Sequence, residues 1–125
     1  MSNSFPEISV TLQSIVCNGA SEGSDGIRSD DIYVIWQADG GVPHRYPAAT
    51  LATQPMQDGD TWGINLVMTF SRDLQVTIYD QDAARMPTFS DYLVSWGFTN
   101  IDIAPSSTMS NDNGANYTIK MAVNA

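Results

Sequence analysis

The sequence predicts an all-β protein, an eight-stranded antiparallel β-sandwich. Apolar and polar residues alternate in several short runs, as they do in half-buried strands. The turns between these runs are rich in Gly, Ser, Asn and Asp. With 125 residues, of which 42% are hydrophobic, the chain has the size and the apolar content of one domain that folds without disulfides. We therefore expect residues 1–125 to form a single sandwich.

Seven or eight short strands follow one another along the chain. Strict alternation of apolar and polar residues predicts four of them, over residues 8–12, 62–70, 74–78 and 117–123. The second and third are separated only by Ser71, Arg72 and Asp73, so we expect these two strands to form a hairpin.

The other strand segments carry different signatures. Residues 32–36 form a continuous β-branched and aromatic run, which is typical of a strand buried on both faces or nearly so. Residues 46–53 are a weaker candidate, and Pro47 suits an edge strand. Residues 92–96 and 98–103 predict one interrupted strand.

Charge and targeting signals narrow the class of protein. The chain has 14 Asp and Glu against 5 Lys and Arg, a net charge of −9. Nucleic acid is not an expected partner, because phosphate binding needs clustered Lys and Arg. The N-terminus lacks the pattern of a signal peptide, and no apolar run reaches the length of a transmembrane helix. We expect a cytoplasmic protein that reaches membranes only peripherally.

Catalysis has little support in the sequence. His44 is the only histidine, in a turn-like segment, and Cys17 lies in an apolar strand pattern that predicts a buried core residue. There is no G-x-S-x-G, H-E-x-x-H or phosphate-loop motif. Glycosidases use a pair of carboxylates, which two of Asp80, Asp82 and Asp91 would supply here, but glycosidases are usually larger proteins. We expect a protein that binds and does not catalyse.

Six aspartates lie in or directly beside two of the three long loops, residues 18–29 and 81–90. Calcium is bound by several oxygen ligands, mainly carboxylates and carbonyls, which converge from loops at one end of a scaffold. Asp80-Gln81-Asp82 is a D-x-D motif at a strand end, where alternate side chains lean into the same loop. Asp is also common in turns for its hydrogen bonds to local N–H groups, so either loop alone is weak evidence. The candidate carboxylates are Asp25, Asp30 and Asp31, in or just after the first loop, and Asp80, Asp82 and Asp91, in or beside the second.

The order and spacing of these residues resemble the C2 domain, the β-sandwich that binds calcium and phospholipid. Asp25 and Asp31 are six residues apart, and Ser-Asp-Asp-Ile-Tyr-Val resembles the Ser-Asp-Pro-Tyr-Val of that family. Trp62 then opens an alternating strand. A turn and a strand that ends in Asp80-Gln-Asp82 follow, and a further aspartate, Asp91, lies beyond the next loop. The resemblance extends over residues 10–123.

The resemblance implies a calcium site and a membrane target. It implies Asp25, Asp31, Asp80, Asp82 and Asp91 as Ca²⁺ ligands, with Asp30 as an alternative to Asp31 in the register. The gap of nine residues between Asp82 and Asp91 is longer than in the family, and the family's basic strand patch has no counterpart among the five Lys and Arg. Phosphoinositide recognition is therefore not expected.

The tip of the second loop carries apolar residues. Met86 and Phe89 are candidates for contact with a membrane interface once calcium has neutralised the acidic loops, and for Phe89 packing over the end of the sandwich is the other possibility.

Two other functions stay open on the sequence alone. One is a carbohydrate- or protein-binding sandwich, in which calcium assists and the three Trp and five Tyr stack on sugar. The other is a self-assembling structural protein that pairs through edge strands. The third long loop, residues 104–115, offers Asp112 as a further oxygen ligand, but the sequence does not place this loop at either end.

Overall fold

The computed structural model of the chain describes residues 6–21, 29–49, 52–81, 90–112 and 114–124, with the side chains of 90 and 91 left undescribed. In these ranges the chain forms ten strands, which pair only in the antiparallel sense, in two five-stranded sheets. The predicted all-β sandwich is confirmed.

The first sheet has β1 and β10 at its centre. Its strands are β1 (Ile8–Gly19), β5 (Thr61–Trp62), β6 (Leu66–Phe70), β9 (Ser106–Ser110) and β10 (Asn116–Val123). Strand β10 lies between β1 and β9, while β5 and β6 pair with successive parts of the other edge of β1.

The second sheet is built around β2 and β7. Its strands are β2 (Ser29–Ala38), β3 (His44–Tyr46), β4 (Gln54–Gln57), β7 (Asp73–Gln81) and β8 (Ser90–Thr99). Strand β7 pairs with β2 on one side and with β8 on the other. The free side of β2 is shared by β3, which pairs with its second half, and β4, which pairs with its first half.

The core lies between the sheets and explains the alternation in the sequence. Every second residue of the long strands faces inward, and the largest fully buried side chains include Tyr117, Phe70, Leu12, Ile15 and Ile78. Cys17 is fully buried in this cluster, as predicted. Because burial of a large apolar side chain contributes about 2 kcal/mol, this cluster is the main source of stability.

Two β-bulges shift the alternation of buried and exposed residues, one in β1 and one in β8. In β1 the register shifts between Leu12 and Ser14, and both Leu12 and Ile15 remain buried despite their odd spacing. In β8 the shift opposite Ile78 leaves the adjacent residues Leu93 and Val94 both buried. A bulge inserts one residue and so reverses the inward and outward positions beyond it.

Two predictions about strand pairing were wrong. Apart from Tyr46, the last residue of β3, the predicted edge strand 46–53 falls on the connection between β3 and β4, of which residues 50 and 51 are not described. The predicted hairpin of 62–70 with 74–78 does not exist, because β6 pairs with β1 in the first sheet and β7 pairs with β2 in the second. The turn at Ser71 and Arg72 therefore connects the two sheets.

Asp39 holds this connection between the sheets. Its carboxylate accepts hydrogen bonds from the backbone N–H groups of Ser71 (2.9 Å), Arg72 (2.6 Å) and Asp73 (3.1 Å). Its own N–H donates to the carbonyl of Asp73 at 2.9 Å. These bonds stabilise the charged form, so the pKa of the Asp39 carboxyl lies below its ordinary value.

Residues 104–115 are partly a strand. The sequence placed a long loop here, whereas the structure has β9 paired with β10, and beyond β9 the N–H of Asn111 donates to the carbonyl of Ala115 at 2.9 Å. Strand β9 is mostly exposed and has the sequence Ser-Ser-Thr-Met-Ser, so it lacks the apolar alternation that reveals the other strands.

Candidate functional site

Three of the predicted calcium ligands, Asp31, Asp80 and Asp91, lie on strands at one end of the sandwich, which we call the acidic end. At this end β1 and β7 finish, and β2 and β8 begin. The N–H of Asp31 donates to a carboxylate oxygen of Asp80 at 2.7 Å. Asp80 is the register partner of Ile32 on one side and of Asp91 on the other. Asp31, Asp80 and Asp91 thus lie on three neighbouring strands at the same end of the sheet.

Partners in antiparallel register have Cα atoms about 5 Å apart, so the backbones of Asp80 and Asp91 are as close as strands allow. Asp31 lies diagonally across from Asp80, whose register partner on β2 is Ile32. Asp31 is exposed and Asp80 is half-buried. Asp25 and Asp82 lie outside the described residues, as do Met86 and Phe89, and for Asp91 only the backbone is described. Over the described part of the chain, no three His, Cys, Asp or Glu side chains are grouped closely enough to hold a metal ion.

Asp30 has different surroundings from Asp31. Its side chain is only 2% exposed, and it accepts hydrogen bonds from the hydroxyl of Tyr117 at 2.5 Å, from the N–H of Ser21 at 3.1 Å and from the hydroxyl of Ser21. These partners replace the water that a buried carboxylate loses. Asp30 remains a predicted additional ligand, but the contacts described here are those of a structural carboxylate.

The same network reaches the buried cysteine. Cys17 is paired in register with Tyr117, and their side chains share a hydrogen bond. Burial raises the pKa of the Cys17 thiol, and burial together with the hydrogen bond to Asp30 raises the pKa of the Tyr117 phenol. Both groups are therefore neutral at physiological pH.

Two turns at the acidic end were not part of the sequence prediction of the site. In the turn between β4 and β5, an Asp58 oxygen accepts from the N–H of Ala20 at 2.8 Å, and an Asp60 oxygen accepts from the N–H of Gln57 at 2.8 Å. The sequence feature that indicates this turn is the dipeptide Asp58-Gly59, which is common in turns.

The turn between β9 and β10 also lies at the acidic end, because Gly19 and Asn116 are register partners. The side-chain amide of Asn111 donates to the Leu93 carbonyl at 3.3 Å and so connects this turn to β8. Asp112, which the sequence could not place, is exposed in this turn.

Three tyrosines stand side by side on the outer face of the second sheet. The rings of Tyr33 and Tyr79 stack with centroids 5.4 Å apart, and Tyr79 meets Tyr92 edge-on at 6.3 Å. The guanidinium carbon of Arg45 lies 3.8 Å from the ring centroid of Tyr33. We call Tyr33, Tyr79 and Tyr92, with Arg45 at one end, the tyrosine row.

The tryptophans do not form a platform for sugar. Trp96 is buried, and Trp36 and Trp62 are half-buried and pack against the core. Of the three Trp and five Tyr, all within the described ranges, Tyr92 alone is exposed, at 59%. The arrangement does not favour the carbohydrate-binding alternative. Self-assembly through edge strands stays a prediction.

The part of the chain that the structure describes contains no helix, and hence no helix suited to crossing a membrane. By sequence, no family model and no curated protein matches the chain.

By structure, the chain is similar to C2 domains. One solved C2 domain matches with a TM-score of 0.58 and 13% identity, over 94% of this chain and 99% of that one. A C2 domain of plant extended synaptotagmin 1 matches with a TM-score of 0.59 and 11% identity, over 98% of this chain and 96% of that one. Human GIVD cytosolic phospholipase A2 matches with a TM-score of 0.54 and 18% identity, over 92% of this chain and 17% of the enzyme. The chain thus has a C2-like fold, as the resemblance in the sequence implied.

Proposed function

We propose that the protein is a calcium-binding C2-like module that docks on phospholipid surfaces through its acidic end. The observation that carries the proposal is the placement of Asp31, Asp80 and Asp91 on three neighbouring strands at one end of the sandwich. Carboxylate oxygens are the ligands that Ca²⁺ prefers, so the donor set fits this ion. Asp25 and Asp82, from the two adjoining loops, complete the proposed ligand set.

The net charge of the protein explains why Ca²⁺ would be needed for binding to a phospholipid surface. With a net charge of −9, the protein is repelled by an anionic phospholipid surface. Each Ca²⁺ adds two positive charges at the acidic end and would turn local repulsion into attraction. Met86 and Phe89, in the second loop, are the proposed contacts with the apolar interior of the membrane.

The proposed activity is binding alone, with no catalytic step, and the proposed location is the cytoplasm. The solved C2 domains support the scaffold for this activity. The calcium ligands and the lipid surface are our inference from the residues at the acidic end.

Sedimentation with phospholipid vesicles tests the proposal. We expect the parent protein to pellet with vesicles in millimolar calcium and to stay in the supernatant when calcium is chelated. Asp80→Asn removes one proposed ligand charge while it keeps the size of the side chain, so we expect it to lose most of the calcium-dependent binding.

Asp102→Asn is the matched control, because Asp102 is an exposed aspartate just beyond β8, at the opposite end of the sandwich. It has the same change of charge and should bind as the parent does. Equal binding of the Asp80→Asn protein and the parent, or binding that ignores calcium, would contradict the proposal.

A further inference from the structure

Strand β8 is the longest edge strand among the described residues. It has ten residues and pairs there with β7 alone, apart from a bridge between Thr99 and Asp102. The other edge strands, β3, β4, β5, β6 and β9, have five residues or fewer. Proteins protect sheet edges with short strands, charged side chains or proline. Residues 92–101 contain no charged residue and no proline, so the edge of β8 lacks these protections.

A hydrogen bond at the end of β8 shows which of its backbone groups face the open side. The N–H of Asn100 donates to the carbonyl of Arg72, next to β7, at 3.0 Å. In an antiparallel ladder, the backbone groups of successive residues point to opposite sides of the strand. The even-numbered residues of this part of β8 therefore face β7, and the N–H and C=O groups of Ser95 and Gly97 face the open side.

The open stretch is short and symmetric about Trp96. At one end of it the carbonyl of Leu93 accepts from the side-chain amide of Asn111 at 3.3 Å. At the other end the carbonyl of Thr99 accepts from the N–H of Asp102 at 3.2 Å. Both bonds agree with the direction deduced for the odd-numbered residues. The four backbone groups between them are not paired with another strand in the described part of the chain.

We propose that this open edge of β8 binds a second copy of the chain in antiparallel orientation, about a two-fold axis at Trp96. In this register Ser95 of each copy lies opposite Gly97 of the other, and each such pair exchanges two N–H···O=C bonds. The four bonds use all four open backbone groups. Because the open stretch is symmetric about Trp96, an identical edge matches it in length and in the positions of its donors and acceptors.

The distribution of charge favours contact at this edge. With a net charge of −9, two copies repel each other, and repulsion is lowest where neither copy carries a charge, as in residues 92–101. Antiparallel pairing also points the two acidic ends in opposite directions. Ser90, the first residue of β8, lies six residues from Trp96. At a rise of about 3.3 Å per residue, the two strand starts stand about 40 Å apart in the dimer.

The surroundings of Gly97 leave room for the second strand. Gly97 is exposed and lines a groove of about 330 Å³ between β7 and β8, and a Cβ added to it would meet no atom within 4 Å. Met109 of β9 is 43% exposed, and β9 and β8 are the neighbouring edges of the two sheets. The two-fold axis is normal to the joined sheet, so β9 of both copies lies on the same side of it, where pairing would cover Met109.

The dimer has a consequence for the proposed function. Its two acidic ends point away from each other, so with calcium bound at both ends one dimer would bridge two phospholipid surfaces. This consequence rests on the proposed function, whereas the pairing of β8 does not.

Sedimentation equilibrium in chelator tests the pairing without the calcium site. We expect the average mass to rise from 13.6 kDa toward twice that value as the concentration increases from about 10 µM to 1 mM, the range of a small interface. Hydrogen exchange at the N–H groups of Ser95 and Gly97 should slow over the same range of concentration.

Three substitutions of Gly97 separate the pairing from general effects. Gly97→Pro removes one open N–H from each copy and leaves the bonds to β7, so dimerisation should weaken roughly tenfold or more. Gly97→Lys places a positive charge at the contact and should also weaken it, although the net charge falls from −9 to −8. Gly97→Ala keeps the N–H and the charge and should dimerise as the parent does. Thermal melting in dilute solution checks that all three fold.

The mass measurements decide the proposal. A mass that stays at 13.6 kDa at 1 mM would overturn it and leave the edge to a different extended chain. Masses beyond twice the monomer would overturn it too, because pairing at one edge closes with two copies. So would a dimer that folded Gly97→Pro and Gly97→Lys proteins retain.

Clustering of phosphatidylserine vesicles in millimolar calcium tests the bridge. The parent should cluster the vesicles, and Gly97→Pro should bind them without clustering. Vesicle binding by a dimeric parent without clustering would overturn the antiparallel arrangement. A dimer in chelator that binds no vesicles in calcium supports the pairing and contradicts the proposed function.

Discussion

At the scale of the residue, the neighbours Asp30 and Asp31 have opposite surroundings. Asp30 is 2% exposed and is held by Tyr117 and Ser21, whereas Asp31 is exposed beside Asp80. Successive residues of a strand point to opposite faces, so a shift of one position exchanges a buried carboxylate for one at the rim. The sequence left the register between them open, because both are aspartates in the same Ser-Asp-Asp-Ile segment.

The hydrogen bond between Tyr117 and Asp30 predicts that removal of the Tyr117 hydroxyl lowers the stability of the protein. In Tyr117→Phe the buried carboxylate loses its 2.5 Å hydrogen bond, and the apolar ring stays in place. We expect the free energy of unfolding to fall by about 1–3 kcal/mol, the cost of leaving a buried polar group short of a partner. Urea denaturation measures the change, and Tyr92→Phe, at an exposed tyrosine, is the matched control with little effect. Equal stability of the two variants would contradict the structural role of Asp30.

At the scale of the element, the strands were easier to predict than their partners. Alternation is a local property, and it correctly indicated β7 and β10 and the buried run in β2. Pairing depends on residues far apart in the chain. The short turn after β6 is equally compatible with a hairpin and with a crossing between sheets, and the sequence prediction chose the hairpin. Strand β9 was missed because its residues have no apolar alternation.

The hydrogen bonds to the Asp39 carboxylate predict how the stability of the protein responds to acid. The pKa of Asp39 is lowered from an ordinary value of 3.8, with the hydrogen bonds from Arg72 and Ser71 as the largest causes. A carboxyl whose pKa is lower in the folded state contributes stability that is complete above the unfolded pKa and is lost as the pH falls through the folded pKa. The parent should therefore lose this contribution as the pH falls below about 4.

Asp39→Asn isolates that contribution, since asparagine tolerates the positive φ of 56° and carries no charge. We expect the variant to be less stable than the parent at pH 7 and to show a smaller loss of stability between pH 7 and pH 3. Urea midpoints at the two pH values measure both quantities. A loss on acidification as large as that of the parent would show that Asp39 does not contribute in its charged form.

At the scale of the whole molecule, the sequence predicted the fold better than the site. The C2-like sandwich follows from strand patterns that extend over nearly the whole chain, and similar solved structures share it at 11–18% identity. The site depends on two loops whose Asp25 and Asp82 lie outside the described residues. The structure adds two more turns at the same end, around Asp58 and Asp112, because neighbouring strand ends collect loops from distant parts of the chain. Spacing along the sequence cannot show that convergence.

Thermal melting of the metal-stripped protein, with and without millimolar calcium, tests the central claim most directly. A ligand that binds only the folded state raises the free energy of unfolding by mass action, and with it the melting temperature. At a ligand concentration one hundred times its dissociation constant, the free energy of unfolding rises by about 2.7 kcal/mol. We predict a clear rise with calcium, absent in the Asp80→Ala and Asp82→Ala double variant and retained in Asp102→Asn. No rise in the parent, together with a double variant at least as stable as the parent, would contradict the calcium site.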